Sequence, residues 1–272
     1  MERFAVVLAL VVALQGASPA LAAIQQLDPG AAAPAAPDAT ALRTADELLD
    51  ASGLGHQLER VAVRIKADVA RARAASPEIA AAIERAAARH LDGDRLTAGA
   101  RRALARRIEP TAAAAALAWF RSPLARRVVA LEREALEPAR ASEFEVFAAG
   151  LVANRPSEWR LLLLARLDAA GLATETSLDL ALAVLGGLAR ARDPQAPPAR
   201  IAQGLLELRD RMSWRVRQAT LLGMLFAYRG LADEELERLV GFVESDAGQW
   251  FVNATSEVIV GGLAAAAGTR ER

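Results

Sequence analysis

Apolar residues recur every three or four positions along most of the chain after residue 40. This spacing places apolar side chains on one face of an α-helix and leaves the charged residues on the other faces. Two of the clearest series are Leu58, Val61, Ile65 and Val69, and Ile201, Leu205, Leu208 and Met212. No segment shows the sustained alternation that indicates a β-strand. We therefore predict an all-α protein of roughly ten helices joined by short turns, with no sheet.

Hydroxyl, proline and glycine residues mark where several of these helices begin and end. Ser122 is followed by Pro123, which is typical of an N-cap residue and the first helical position. Gly53 and Gly171 each follow an apolar helical series and suit helix C-termini. These signals predict helix boundaries at three places in the chain.

The first 22 residues have the parts of a secretory signal. A short, positively biased start precedes an apolar run from Phe4 to Leu14, and a stretch with glycine and proline leads to Ala20-Leu21-Ala22. We predict cleavage after Ala22 and a periplasmic or secreted protein. The alternative is an uncleaved anchor from Phe4 to Ile24, a length that nearly suffices to cross a bilayer. No later apolar run is long enough, so we expect no membrane span after cleavage.

The chain contains no cysteine, two histidines, and 33 basic against 33 acidic side chains. The absence of cysteine excludes disulfides, thiolate metal sites and cysteine nucleophiles. An exported protein without disulfides is more typical of a bacterial periplasm than of a eukaryotic secretome. We therefore expect a protein of a Gram-negative bacterium that is held together by packing alone.

Three segments recur in the same order, at offsets of 118, 119 and 123 residues. They are Leu49–Leu54 with Leu167–Leu172, Ala70–Arg73 with Ala189–Arg192, and Trp119–Arg127 with Phe242–Trp250. This order predicts a tandem duplication, with one helical-bundle unit at 41–153 and a related unit at 154–262. An Ala/Pro-rich tether at 23–40 would precede them, and a disordered tail at 263–272 would follow.

The third recurring segment also carries a family resemblance. An aromatic helix end followed by Ser-Pro, a small residue and basic residues, as in Trp119–Arg127, resembles the most recognisable motif of the exported bacterial family called domain of unknown function 2059. The second copy keeps Tyr228 and the acidic helix start Asp233–Leu236, but Asp246 replaces the proline, and the first copy has Ala125 in place of a glycine. The resemblance implies an exported helical protein, here with two tandem copies, and it implies no activity.

The same motif predicts a corner between two consecutive helices in each copy. Ser122 and Ser245 suit the N-cap of the second helix, and a proline or an aspartate suits its first turn. We expect the aromatic side chains to fill the wedge between these two helices rather than to form a binding site. The predicted corner residues are Trp119, Phe120, Ser122, Pro123, Phe242, Ser245 and Gly248.

Patterns that indicate catalysis or metal binding are sparse. The only cluster of metal-type residues, His90 to Asp94, lacks the further oxygen ligands and the closing glutamate of a calcium loop. No nucleophile elbow, Ser-x-x-Lys or His-Glu-x-x-His motif is present. Carboxylates interleave with arginine, as in Glu132-Arg133-Glu134, which is typical of a solvated helix face. We therefore predict no catalytic, cofactor or metal site.

The neutral total hides an uneven distribution of charge. Residues 59–140 carry 17 basic and 10 acidic side chains, whereas residues 141–272 carry 14 and 17. A basic face of the first unit is either solvated or packed on the second unit, or it contacts an anionic envelope surface or an acidic partner. We expect no nucleic acid partner for an exported protein. The residues of this face are Arg101, Arg102, Arg106 and Arg107 on one predicted helix, and Arg126 and Arg127 after the corner.

These patterns predict an exported, non-enzymatic envelope protein that binds or scaffolds through its helix faces. The alternative is a hydrolase whose carboxylates, far apart in the chain, meet in a cleft between the two units. A third interpretation is a structural dimerisation module. An exposed apolar or basic helix face would favour binding, whereas a deep polar pocket with convergent carboxylates would favour the hydrolase.

Overall fold

The computed structural model describes residues 38–60, 93–193 and 195–266 of the chain. Helices dominate these residues and no strand occurs among them, so the predicted all-α fold is confirmed. The predicted signal peptide, most of the tether, and the pair His90 and Asp92 lie outside the described residues. Within the described part, no helix is both long enough and apolar enough to cross a bilayer.

Two groups of helices are joined by a short connection. The first half comprises α1 (Ala39–Ala51), helical residues 54–60, α2 (Gly93–Ala105), α3 (Pro110–Phe120) and α4 (Pro123–Ala135). A 3₁₀ turn (Pro138–Arg140) and α5 (Ala141–Gly150) form the connection. The second half comprises α6 (Glu158–Gly171), α7 (Ala173–Arg192), α8 (Pro198–Ala227), α9 (Asp233–Val243) and α10 (Asp246–Ala266). Two predicted boundaries therefore move, since 39–40 of the tether and 263–266 of the tail are helical.

Local sequence explains where several helices begin. The Asp38 carboxylate accepts a hydrogen bond from the Ala41 amide (2.6 Å), and the Ser157 hydroxyl accepts one from the Arg160 amide (3.1 Å). Both are N-cap interactions, which satisfy an amide that has no partner within its own helix. Proline occupies the first turn of α3, α4 and α8, where its missing N–H is not needed.

The helix bounds recur along the chain. Helix α9 begins and ends 123 residues after α3, and α10 begins 123 residues after α4. The N-caps of α1 and α6 are 119 residues apart, as are the only described residues with positive φ, Gly53 (74°) and Leu172 (55°). The sequence match at offset 118 is therefore displaced by one residue, because it places Gly171 opposite Gly53. Tandem duplication stays a prediction that these bounds support.

The two halves exchange helices in their cores. Phe251 and Ala254 of α10 pack in a cluster with Leu48 and Leu104 of the first half. Val128 of α4 packs in a second cluster among residues of α6, α8 and α9. Each of these two clusters thus contains a helix from the other half, whereas a third, smaller cluster around Leu178 and Val216 lies within the second half alone. The boundary predicted at 153/154 therefore does not separate two independently packed cores. This exchange brings the two predicted corners together.

Candidate functional site

Each predicted corner is a pair of helices joined at a capping serine. The Ser122 hydroxyl accepts a hydrogen bond from the Ala125 amide (3.1 Å) at the start of α4. The Ser245 hydroxyl accepts one from the Gly248 amide (3.2 Å) at the start of α10. The second corner is the tighter one, because a Cβ at Gly248 would lie 2.0 Å from the carbonyl oxygen of Phe242. Glycine is therefore required there, whereas the first corner accommodates alanine.

The aromatic residues of the corners pack against each other across the two halves. The rings of Trp119 and Phe242 are stacked, with centroids 4.6 Å apart and planes 10° from parallel. Phe120 meets Phe242 and Phe251 edge to face, at 5.6 and 4.9 Å. The sequence predicts that these rings fill the wedge within each corner, and in the structure they also join one corner to the other. Such aromatic pairs contribute roughly 0.5–1.5 kcal/mol each beyond their burial.

A cavity of about 70 Å³, the joint cavity, lies beneath these rings. Most of its lining is apolar, and both halves contribute to it. Much of that lining consists of residue pairs whose numbers differ by 123, which places the cavity where equivalent positions of the two halves face each other. These pairs are Trp119 and Phe242, Phe120 and Val243, Val128 and Phe251, Val129 and Val252, and Glu132 and Thr255.

A buried carboxyl group lies in the wall of the joint cavity. Glu132 of α4 is 8 % exposed, and its Oε1 accepts a 2.6 Å hydrogen bond from the hydroxyl of Tyr228, which is fully buried. Burial raises the pKa of Glu132 to about 7, although the hydrogen bond from Tyr228 acts in the opposite direction. Burial also raises the pKa of Tyr228 well above its usual range, and the neighbouring carboxylate adds to that rise. Glu132 can therefore gain or lose a proton near neutral pH.

The sequence interpretation placed Glu132 on a solvated face, and the structure corrects this. The buried residues of α4 are Ala125, Val128, Val129 and Glu132. Val128 and Val129 each lie three or four positions from the other two, so all four residues lie on one face of the helix. The spacing of Leu124, Val128 and Leu131 predicts an apolar stripe on this helix, but Leu124 and Leu131 are only partly buried and the buried face is centred on Val128 and Val129. Extending the stripe through Val128 and Val129 would have revealed that Glu132 continues a buried face.

The predicted basic face does not form one helix surface. Helix α2 ends at Ala105, so Arg106 and Arg107 lie in the following turn rather than on the helix that carries Arg101 and Arg102. The Arg101 guanidinium lies 2.5 Å from the Asp46 carboxylate, in an ion pair within the first half.

The arginines after the corner also bond within the chain. Arg126 donates to the Arg121 carbonyl oxygen (2.7 Å), while Arg127 donates to Glu235 of the second half (2.7 Å) and to the Gly230 carbonyl oxygen. The hydrogen bond from the Ala232 amide is the main cause of the lowered pKa of Glu235, and the ion pair with Arg127 adds to it. Part of the basic face thus pairs with acidic groups of the same chain.

An open groove of about 600 Å³, the first-half groove, lies between α1, α3 and the end of α2. Its walls are mainly small or apolar, with Ala41 and Thr44 on one side and Ala113 and Leu117 on another. Asp38 and Arg106 supply its charged groups. Pockets of roughly 300–1,000 Å³ accommodate ligands, so this groove is in the size range of a binding site and the joint cavity is below it.

The described residues provide no group of three metal-type side chains. His56 lies half-buried in the helical residues 54–60, and Asp94 lies in α2. The cluster His90 to Asp94 falls largely outside the described residues.

No protein-family model, curated protein or solved structure matches this chain significantly. The likeness to domain of unknown function 2059 therefore rests on the motif residues alone.

Proposed function

We propose that this chain is an exported protein of the bacterial cell envelope that acts by binding a partner protein and catalyses no reaction. The observation that carries the proposal is the first-half groove, which is open, mainly apolar and large enough for a peptide side chain or a short segment. The secretory pattern of residues 1–22 supports the location.

The groove is a better contact surface than the arginine face. Arg101 and Arg127 are engaged with Asp46 and Glu235, and a contact with an external anion would have to replace these ion pairs. Arg106 lies in the wall of the groove, so one residue of the predicted basic face belongs to this binding surface.

The alternative hydrolase would need two carboxyl groups on either side of a substrate. Glu132 is the one carboxylate among the lining residues of the joint cavity, and the cavity of about 70 Å³ is too small for a sugar or a peptide bond with its neighbours. The geometry therefore favours the binding protein over the hydrolase.

A pair of variants tests the proposal. Thr44→Leu with Ala114→Leu fills the groove, and Ala118→Leu adds the same side chain at an exposed position of α3 outside it. The chain from residue 23 is immobilised, exposed to solubilised cell envelopes, and the retained proteins are identified by mass spectrometry. We expect a protein that the parent chain and Ala118→Leu retain and the filled variant loses.

Retention of the same proteins by all three chains, or of none by the parent, would contradict the proposal. Binding to anionic lipid vesicles that disappears when Arg101, Arg102, Arg106 and Arg107 become alanine would place the contact on the arginine face instead. Release of soluble fragments from purified envelope polysaccharide would favour the hydrolase.

A further inference from the structure

The first-half groove has a filled counterpart in the second half. Helix α1 corresponds to α6 at an offset of 119 residues. At an offset of 123 residues, α3 corresponds to α9, and the end of α2 corresponds to the end of α8. By these offsets the small groove residues Ala41, Thr44 and Ala113 correspond to Arg160, Leu163 and Leu236. Leu163 and Leu236 are completely buried, and Ala113 is buried as well (1 % exposed), whereas Ala41 and Thr44 are partly exposed. Among the described residues, larger side chains thus fill in the second half the space that lies beside Ala41 and Thr44 in the first.

Arg160 occupies that place with its guanidinium group. Nη1 donates to the Leu231 carbonyl oxygen (3.1 Å) and to the Asp233 carboxylate (2.5 Å), and Nη2 donates to the Tyr228 carbonyl oxygen (2.5 Å). The side chain is only 15 % exposed. A planar arginine guanidinium can donate to several acceptors held in fixed positions at once. The ammonium group of a lysine is a single point charge and does not match such an arrangement.

The groove retains most of the corresponding surroundings. The residues 123 positions before Tyr228, Leu231 and Asp233 are Ala105, Ile108 and Pro110, and all three line the groove. The residue 119 positions before Arg160 is Ala41, whose methyl group leaves the space of the arginine stem vacant. The groove therefore has the framework of an arginine site without its arginine.

Groups of both signs surround the groove: the N-termini of α1 and α3 and the Arg106 side chain are positive, whereas the end of α2 and Asp38 are negative. Helix α2 ends at Ala105, and a helix C-terminus carries a partial negative charge and carbonyl groups without helical partners. Helix α8 ends in the same way at Ala227, beside Arg160. The Asp38 carboxylate adds a negative group to the groove.

Arg106 in the groove wall does not exclude an inserted guanidinium. Its counterpart is Arg229, which lies next in the chain to Tyr228 and coexists with the inserted Arg160. The Arg229 guanidinium lies 4.0 Å from the ring centroid of Phe226 and 3.4 Å from Glu143, so it points to a different set of partners. Ala103 stands at the place of Phe226 in the first half, so Arg106 lacks that ring and must turn toward solvent to admit a second guanidinium.

We propose that the first-half groove binds an arginine side chain of a partner protein, with the aliphatic stem against Ala41, Ala113 and Leu117 and the guanidinium at the end of α2. This inference rests on the proposed binding function and specifies the occupant of the same site. Pro110 stands where the second half has Asp233, so the incoming guanidinium lacks one carboxylate partner. The contact is therefore weaker than the internal one and reversible.

A peptide series tests the inference. Blocked Ala-Ala-Arg-Ala-Ala, and the same peptide with lysine or with the neutral isostere citrulline, are titrated into the isotope-labelled chain and followed by amide NMR shifts. We expect the arginine peptide to shift residues around Ala41 and Ala105, and the lysine and citrulline peptides to bind roughly tenfold more weakly, a difference of about 1.4 kcal/mol.

Variants show whether binding occurs in the groove. Ala41→Arg copies Arg160 and should abolish peptide binding, whereas Ala118→Arg adds the same charge at an exposed position of α3 and should lower the affinity only slightly. Thr44→Leu with Ala114→Leu narrows the groove from its exposed side without adding charge, so it tests the site even if Ala41→Arg does not fold.

Equal affinity for the citrulline peptide, or unchanged binding in both groove variants, would overturn the inference. If groove filling removes an envelope partner but no peptide shows a preference for arginine, the inference fails and the proposed function stands. If groove filling removes no partner, the proposed function fails as well.

Discussion

The hydroxyl of Tyr228 lies 2.6 Å from the Oε1 of Glu132, and the bond joins α4 of the first half to the end of α8 in the second. Both side chains are buried, and the joint cavity lies beside the carboxyl group. A buried carboxyl group is favourable when it is protonated or hydrogen-bonded and costly when it is charged without a partner. The protonation of Glu132 is therefore linked to the stability of the contact between the two halves.

Replacement of Glu132 by glutamine should change how stability depends on pH. The folded state has the raised pKa of about 7, against 4.5 for the ordinary group, so the folded chain binds this proton more tightly. The resulting stabilisation is complete below pH 4.5 and is lost as the pH rises through 7, a loss of about 3 kcal/mol. Denaturant unfolding at pH 4 and pH 8 should show this loss in the parent chain and not in Glu132→Gln.

A matched control is Glu145→Gln, which changes an exposed carboxylate of α5. It should retain the pH dependence of the parent chain. The lowered pKa values of Glu235 and Glu244 contribute a trend of opposite sign. The pKa values of Asp168 and Asp179, raised by burial, contribute one of the same sign. Both trends are present in all three chains and cancel in the comparison. The explanation fails if Glu132→Gln loses as much stability as the parent between the two pH values.

Replacement of Tyr228 by phenylalanine should raise the pKa of Glu132 further, because the hydrogen bond from Tyr228 lowers it. The buried carboxyl group would also lose its phenolic donor, which costs about 1–3 kcal/mol. Denaturant unfolding at pH 5 measures the loss of stability. The double variant with Glu132→Gln gives the coupling energy of the pair, and a coupling near zero would be inconsistent with the hydrogen bond.

Gly248→Ala should destabilise the corner between α9 and α10 by about 2–3 kcal/mol, because the added Cβ would lie 2.0 Å from the Phe242 carbonyl oxygen. The control is Gly241→Ala in α9, where nothing lies within 4 Å of the new Cβ. That change should stabilise the chain by up to about 1 kcal/mol through helix propensity. Thermal unfolding compares the two, and equal effects would argue against the tight corner.

Leu172 carries a strained backbone, with φ at 55° between α6 and α7. A left-handed conformation costs a residue with a side chain about 1–2 kcal/mol and costs glycine little. Leu172→Gly should therefore be about 1 kcal/mol more stable than Leu172→Ala, since both lose the leucine side chain. At exposed Ala169 within α6 the order should reverse, with glycine the less stable residue. Thermal unfolding of these variants gives the comparison, and alanine equal to glycine at position 172 would contradict the strain.

Local features of the fold were predictable from the sequence because short-range hydrogen bonds produce them. Ser122 and Pro123 indicate a helix start whatever surrounds them, since the cap and the missing N–H act within one turn. The all-α fold follows from apolar spacing of three and four in the same way. The helix end expected at Gly171 is the end of α6, but the left-handed conformation falls on the next residue, Leu172, because a residue type does not by itself fix the backbone dihedral angles of its neighbour.

The candidate sites depend on residues that are distant in the chain. Nothing near Glu132 in sequence indicates that Tyr228 covers it, and the groove exists because α1 and α3 both carry small residues where α6 and α9 carry large ones. The ion pair of Arg127 with Glu235 likewise joins the two halves. Such relationships require the packing geometry.

The sequence by itself determined the helical fold class and the capping of the corners, because helix periodicity and N-caps depend on residues within a few positions of one another. Only the tertiary structure brings Trp119 and Phe242 into a stack, buries Glu132 so that its pKa rises to about 7, and leaves a groove among the described residues of the first half. The physical reason is that burial and desolvation are properties of the whole packed chain, whereas helix formation is a property of its segments.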